Sequence, residues 1–238
     1  MRTCCLLLIL GQGLLPLTGL AFSLTPMSAV FDPTGSGSAR SFRVENETSN
    51  RVAFQVTVLT REMDPDGKET NRPVTNEFTV FPPQGSILPG KSQTVRVVWK
   101  GPPNPARELA FRLVAEELPV QFTPEKDKAQ VRVVLRYMAA LYVRPRNAKA
   151  DLQPGALTRT DTNTYTLTIT NAGTAHRPLL SPKLTLLDAQ GQRLEVPSEA
   201  LQPLAGENVL AGCARRFVLT LPPEFSQPSY RTELTTDE

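Results

Sequence analysis

Along most of this chain, apolar and polar residues alternate at every second position. No segment carries a long period of 3.6 residues, and a pattern of that kind builds strands. The alternation is most telling from Gln130 to Pro145, QVRVVLRYMAALYVRP, where Val131, Val133 and Leu135 alternate with Arg132, Val134 and Arg136. This predicts one strand of about sixteen residues, where an average strand has about five or six. A strand of that length with an apolar row is a template on which another chain's unfinished sheet could be completed.

Shorter strands are expected at Ser41–Val44, Val52–Val58, Phe78–Phe81, Val95–Trp99 and Leu109–Leu118, with turns at Asn46–Asn50 and Asp64–Gly67. Pro145 ends the long strand, and the polar stretch Arg146–Pro154 marks a boundary. Beyond it Tyr165, Leu167 and Ile169 alternate with threonines, and Asp188–Gly191 reads as a hairpin turn. Phe217, Leu219 and Leu221 form one more strand, and the polar, proline-bearing tail from Pro222 is expected to fray. The fold class is all-β, with two sandwich domains, 22–145 and a smaller, looser 146–238.

Residues 1–21 read as a secretory signal peptide. Arg2 precedes the apolar run Cys4–Leu10, and Gly19-Leu20-Ala21 offers small residues for cleavage. The run is too short for a membrane span. The net charge of +3 falls to +2 once Arg2 is removed, which gives no electrostatic case for a nucleic-acid partner. Cys213 is the one cysteine left in the mature chain, so no internal disulfide forms, despite an oxidising destination. It reads as a buried thiol, with an intermolecular bridge as the other possibility.

Candidate chemistry is sparse. Gly85–Ser92, GSILPGKS, matches the phosphate-loop pattern letter for letter, but that chemistry needs a helix after it to cradle phosphates. Here Pro89 precedes the Gly-Lys pair and a β-branched run follows, so a turn into a strand accounts for the letters and no nucleotide is implied. His176 is the only histidine, in a loop at a strand end, and reads as a surface residue rather than part of a catalytic relay. One histidine and one cysteine exclude the common zinc sets, and no cofactor is implied. Asp64 and Asp66 lack the remaining ligands of a calcium loop. Asn46-Glu47-Thr48 is a glycosylation sequon, relevant only in a eukaryotic secretory route.

An ordered set of segments resembles the periplasmic chaperones of the chaperone–usher pilus pathway, the PapD-like family. Ser28–Phe31 is similar to the opening strand, and Phe42–Asn50 to the next strand and its turn. Phe81-Pro82-Pro83, Leu88-Pro89-Gly90 and Val95-Arg96 follow the family signature. Arg107-Glu108 through Pro119, and Leu141 to Pro145, complete the series. The resemblance implies two immunoglobulin-like domains in a boomerang arrangement, in a non-enzymatic chaperone. It would bind pilus subunits by donor-strand complementation and deliver them to an outer-membrane usher. Val131, Val133 and Leu135 would then be the donor side chains, and Glu108 and Arg144 an interdomain salt bridge whose second-domain member stays unassigned. A free donor strand also predicts a self-capping dimer.

One departure matters. The family's two cations for the subunit's terminal carboxylate align with Ser28 and Ala140, which carry no charge. Arg112 is the first substitute, Arg136 the second and Lys149 the third, since an arginine fork binds a carboxylate bidentately. This departure, with the short segment Val120–Ala129, is similar to the archaic branch of the pathway. Two other classes remain open on sequence alone: a secreted β-sandwich structural or adhesive protein, and, remotely, a nucleotide-binding enzyme using Gly85–Ser92.

Overall fold

The computed structural model describes residues 22–120 and 133–237. The expected signal peptide, Val131 and most of the segment Val120–Ala129 lie outside them. The first domain runs through β1 (Phe22–Thr25), β2 (Ser28–Phe31), β3 (Ala39–Asn46), β4 (Val52–Thr60), β5 (Glu62–Met63) and β6 (Glu69–Thr70). It continues with β7 (Phe78–Phe81), β8 (Gln84–Ile87), β9 (Lys91–Trp99), β10 (Leu109–Leu118) and β11 (Arg136–Val143). One sheet has the order β1-β3-β9-β7, and the sheet facing it β2-β11-β10-β4-β8. The inward members of each alternation meet between them: Phe42 and Val44 of β3, Phe54 and Val56 of β4, Leu113 of β10, Leu141 of β11. At one end Phe78 packs edge-on against Phe31, Trp99 and Phe111, with ring centroids 5.7, 5.0 and 5.0 Å away. A fully buried side chain of this size contributes about 1.5–3 kcal/mol, enough to hold a domain without a disulfide.

The opening segment belongs to both sheets. β1 lies antiparallel to β3, whereas β2, two residues further on, lies parallel to β11 from Ser28↔Ala140 to Phe31↔Val143. That pairing covers the last four residues of β11 and leaves the first four uncovered.

The strand expected over sixteen residues is eight long among the described residues, Arg136–Val143. Its ladder with β10 starts at Glu116↔Arg136, and Glu117 donates one further backbone bond to the Leu135 carbonyl at 3.0 Å. β10 runs two residues past that ladder, to Leu118 opposite Val134, and Pro119 beyond it has no N–H with which to pair further.

The letters of the phosphate loop fold as a turn that carries the chain from one sheet to the other, β8 pairing with β4 and β9 with β3. β8 and β9 flank a turn in which Lys91 N–H bonds the Leu88 carbonyl at 3.1 Å, with Gly90 at φ 66°. Strand follows Ser92, so the helix N-terminus that a phosphate would need is not formed there. The sequon asparagine is fully buried. Asn46 Nδ2 donates to the carbonyls of Asn50 and Ile87 at 2.7 and 2.9 Å, which leaves no room for a glycan in the folded domain.

The second domain comprises β12 (Leu152–Pro154), β13 (Leu157–Arg159), β14 (Thr164–Asn171), β15 (Arg177–Pro178), β16 (Leu180–Leu187) and β17 (Arg193–Glu195). It ends with β18 (Asn208–Val209), β19 (Ala214–Thr220) and β20 (Ser229–Asp237). Leu157, Tyr165, Leu167, Ile169 and Leu219 are fully buried, so this core is closely packed rather than loose. Nor does the tail fray. β20 pairs with both β13 and β16, with Tyr230 buried beneath it. Its outward residues are Ser, Arg, Glu and Thr, a polar row that masks the alternation in the sequence.

Candidate functional site

The edge of β11 is the first element of the site. Ala140 N–H donates to the Met27 carbonyl and Arg144 N–H to that of Phe31, each at 2.9 Å, so the backbone groups of even-numbered residues point away from β10. By the two-residue period those of Arg136 and Met138 point the same way, and among the described residues no strand pairs with them. An open, partly apolar sheet edge is a strand-binding surface. Val133 is 70% exposed and Val134 47%, both just before the strand. Leu135, like Tyr137, packs against the rim of the first core. Of the three proposed donor residues, then, Val133 is free, Leu135 is half committed to its own domain, and Val131 lies outside the described residues.

The second element is a row across the outer face of the same sheet. Arg112 of β10 sits opposite Ala140 of β11, and Ala140 opposite Ser28 of β2. A cation, Arg112, thus stands one strand over from Ala140, in the same row. It is already engaged. Arg112 Nε donates to Glu69 Oε2 at 2.9 Å, and its NH2 group to Oε1. Arg61, 7% exposed at its side chain, donates from Nε to the same Oε1 at 2.8 Å and from NH1 to the Tyr142 hydroxyl at 2.7 Å. Burial alone would raise the Glu69 carboxyl, but the two guanidinium groups outweigh it and hold Glu69 below the ordinary carboxylate range.

The other two candidates lie elsewhere. Arg136 is on the same face as Arg112 but four residues up β11 from Ala140, about 13 Å away. It is half exposed and 3.7 Å from Glu116. Lys149 is in the connection between domains, its backbone fixed to the second domain by bonds with Thr174 and Ala175. The structure does not bring the three together.

The third element joins the domains. Glu108, 1% exposed at its side chain, pairs with Arg144, and His176 closes the bridge. Glu108 Oε1 accepts the His176 backbone N–H at 3.0 Å and meets Nδ1 of its ring. That ring stacks on Tyr142 at 3.7 Å between centroids and 14° between planes. His176, expected on the surface, is therefore the second-domain member of the bridge. Burial pushes the Glu108 carboxyl up, yet the bonds from His176 and Arg144 hold it below the usual carboxylate range. Tyr142 reaches across as well: its hydroxyl accepts Asn208 Nδ2 at 2.8 Å, and burial raises its phenol above the ordinary value. Beside this seam lies a cleft of about 470 Å³, lined by Arg61, Met63, Glu108, Ala110, Leu210 and Cys213. Cys213 is a free, half-buried thiol that burial pushes up in pKa.

Sequence reasoning missed Arg61, Glu69 and the second-domain pair Arg215-Arg216. The turn Asp64–Gly67 is the tip of the hairpin formed by β5 and β6, whose base carries Glu69. Asp66 accepts two bonds from Arg216, both at 2.7 Å, and the Pro65 carbonyl accepts Arg216 N–H at 2.6 Å. Arg215 reaches Met63 Sδ and the Asn208 carbonyl at 3.2 and 3.1 Å. The sequence signal was present in Asp64-Pro65-Asp66-Gly67, which marks a hairpin; nothing in it indicated what the hairpin would touch.

A family model described as pili and flagellar-assembly chaperone, PapD N-terminal domain, matches residues 25–149. The chaperone protein FimB/FhaD of Bordetella pertussis is 33% identical over 88 residues, 34% of this chain and 36% of that protein, so the chain aligns with about a third of that relative's length. Three solved structures share the fold. The archaic CsuC–CsuE chaperone–tip adhesion subunit complex of Acinetobacter baumannii matches with a TM-score of 0.55 at 15% identity, over 83% of this chain and 89% of the matched one. The class 5 fimbriae chaperone CfaA gives 0.58 at 14%, over 92% and 100%. The Salmonella enterica SafA pilin–SafB chaperone complex gives 0.55 at 15%, over 91% and 96%. These likenesses establish two immunoglobulin-like domains in the PapD arrangement of strands. With a family model spanning more than half its length, the chain belongs to the pili and flagellar-assembly chaperones of the PapD-like family.

Proposed function

We propose that this chain is a periplasmic chaperone that captures pilus subunits by lending them a strand, then passes them to an outer-membrane usher. The observation that carries this reading is the uncovered edge of β11 beside an exposed Val133. Arg136 and Met138 supply backbone donors and acceptors to an added strand, and the row through Val131, Val133 and Leu135 supplies side chains for its groove. Arg112, in the row of Ser28 and Ala140, is the anchor for the subunit's terminal carboxylate. The bridge of Glu108, Arg144 and His176 fixes how the domains meet and does not touch the subunit. No nucleotide is consumed, because the subunit leaves when a better-fitting strand replaces the lent one. Residues 1–21 direct export, and the free protein covers its open edge by pairing with a second copy. The uncharged positions Ser28 and Ala140, with the short segment Val120–Ala129, support a place in the archaic branch.

The test is co-expression of the mature chain in a periplasm with the strandless subunit encoded nearest to it. A one-to-one complex is expected, and Val133→Asp, exposed in the free protein, removes it while leaving the fold intact. Retained capture by Val133→Asp, or a well-behaved monomer that ignores the subunit, refutes the donor-strand assignment.

A further inference from the structure

The Arg61–Arg112 pair presents an incongruity for a carboxylate anchor: both guanidinium groups already share a carboxylate from the chain itself. Glu69 accepts from both nitrogens of the Arg112 fork and from Arg61 Nε, the bonding set that a subunit's terminal carboxylate would take. It sits on a two-stranded arm, β5–β6, which among the described residues pairs only within itself. The far end of that arm meets the second domain through the Asp66–Arg216 ion pair, exposed on both sides, the Arg216 N–H on the Pro65 carbonyl at 2.6 Å, and Arg215 NH1 on Met63 Sδ at 3.2 Å. Behind the arginines the site is rigid. Arg61 is buried, and its NH1 group is fixed by the Tyr142 hydroxyl, which Asn208 holds in turn. Two cations against one carboxylate leave the cluster one unit positive. The cluster is thus a preformed carboxylate site, occupied by a carboxylate of the chain's own on an arm that stands outside both sheets.

Resting on the chaperone reading above, we infer that Glu69 is a built-in stand-in for the subunit's terminal carboxylate, holding the Arg61–Arg112 site in the free protein and giving it up on capture. The stand-in has a physical use. An empty site would bury Arg61 without a counter-charge, which costs more than the pair returns when formed. Glu69 removes that cost and sets a threshold, since an incoming chain end must do better than a tethered carboxylate. Anions that offer one weak contact do not displace it. A subunit that also adds a strand to β11 does, because its carboxylate arrives tethered as well. Arg61 thereby becomes the second cation of the anchor, in place of the pair absent from Ser28 and Ala140.

Glu69→Gln tests this, with binding measured to the subunit encoded nearest the chain in two forms. One has its natural C-terminus; the other is extended by two glycines, which carries the carboxylate out of reach. Glu69→Gln removes the competing charge and keeps a hydrogen-bond acceptor for Arg61. It is expected to bind the natural form about tenfold or more tightly than the parent chain does, and the extended form no better. Asp66→Asn, which loosens the far end of the arm without touching either arginine, is expected to raise the association rate for the natural form. Equal or weaker binding of the natural form by Glu69→Gln, with the parent chain still binding, overturns the inference alone and leaves Glu69 as a residue that orients Arg112. Equal gain for both forms also overturns it, since the gain then has nothing to do with the carboxylate. Failure of the parent chain and both variants to bind either form overturns the chaperone reading beneath it.

Discussion

Glu108→Gln removes one charge at the centre of the seam between the domains. The carboxylate is 1% exposed, accepts from Arg144 and from the His176 backbone, and meets the His176 ring. A hydrogen bond to a charged group contributes about 1.5–3 kcal/mol, and breaking a buried ion pair costs about 3–5 kcal/mol. Arg144 is 36% exposed and recovers water when its partner goes, and glutamine keeps one acceptor, so the expected loss is about 2–3 kcal/mol at pH 7. The sign with pH follows from the depressed carboxyl. Its stabilisation is fully present above the unfolded value of about 4.3 and is lost as the pH falls through the lower folded value. In that window the parent chain loses up to about 1.4 kcal/mol per pH unit that the variant does not lose. The difference between them therefore closes in acid, while the contribution of Glu69 stays common to both. The single tryptophan, Trp99, is buried in the first core, so its fluorescence in urea follows that domain, and circular dichroism follows both. A loss under about 0.5 kcal/mol, or a difference that persists unchanged well below pH 4, refutes the assignment of the bridge as a charge-dependent joint.

Arg112→Ala is expected to weaken subunit binding by about 2–5 kcal/mol, the scale for removing one partner of a buried charge pair, measured by titration calorimetry or competition. A change near zero transfers the anchor role to Arg136. Asn46→Ala orphans the Asn50 and Ile87 carbonyls and is expected to cost about 1–3 kcal/mol of stability for each that stays dry, read as a drop in the urea midpoint followed by Trp99. No change in that midpoint would mean that water replaces the amide.

The strands were legible because one face of each is apolar. Phe42 and Val44, Phe54 and Val56, Val95 and Val97 announce themselves by alternation, and the turn at Asp64–Gly67 by its composition. β20 was not legible, since Thr and Glu alternate there with residues of only moderate hydropathy. The length of β11 was misread because alternation alone does not make a ladder: the pairing with β10 ends at Arg136, although β10 runs on to Leu118. Arg112 could be nominated from its place in a strand. Its partner Glu69 stands 43 residues earlier in a different hairpin, and no local rule connects them. His176 shows the same limit from the other side. Its neighbours describe a loop, while its burial is decided by Tyr142 and Glu108, which belong to another domain.

The brevity of β2 has a metric consequence. Because Met27 already takes the Ala140 N–H, a strand laid along the free part of β11 must halt at that point, like a rod pushed into a gauge. The slot from Arg136 to Ala139 is about 13 Å long. A guest running in the direction of β2 comes to rest with its last residue beside Ser28, within the row that holds Arg112. Register is thereby set by where a host strand begins rather than by the guest's own side chains. Lengthening β2 by two residues at its start would shift the guest by one full pleat repeat and take its final carboxyl group away from the arginines.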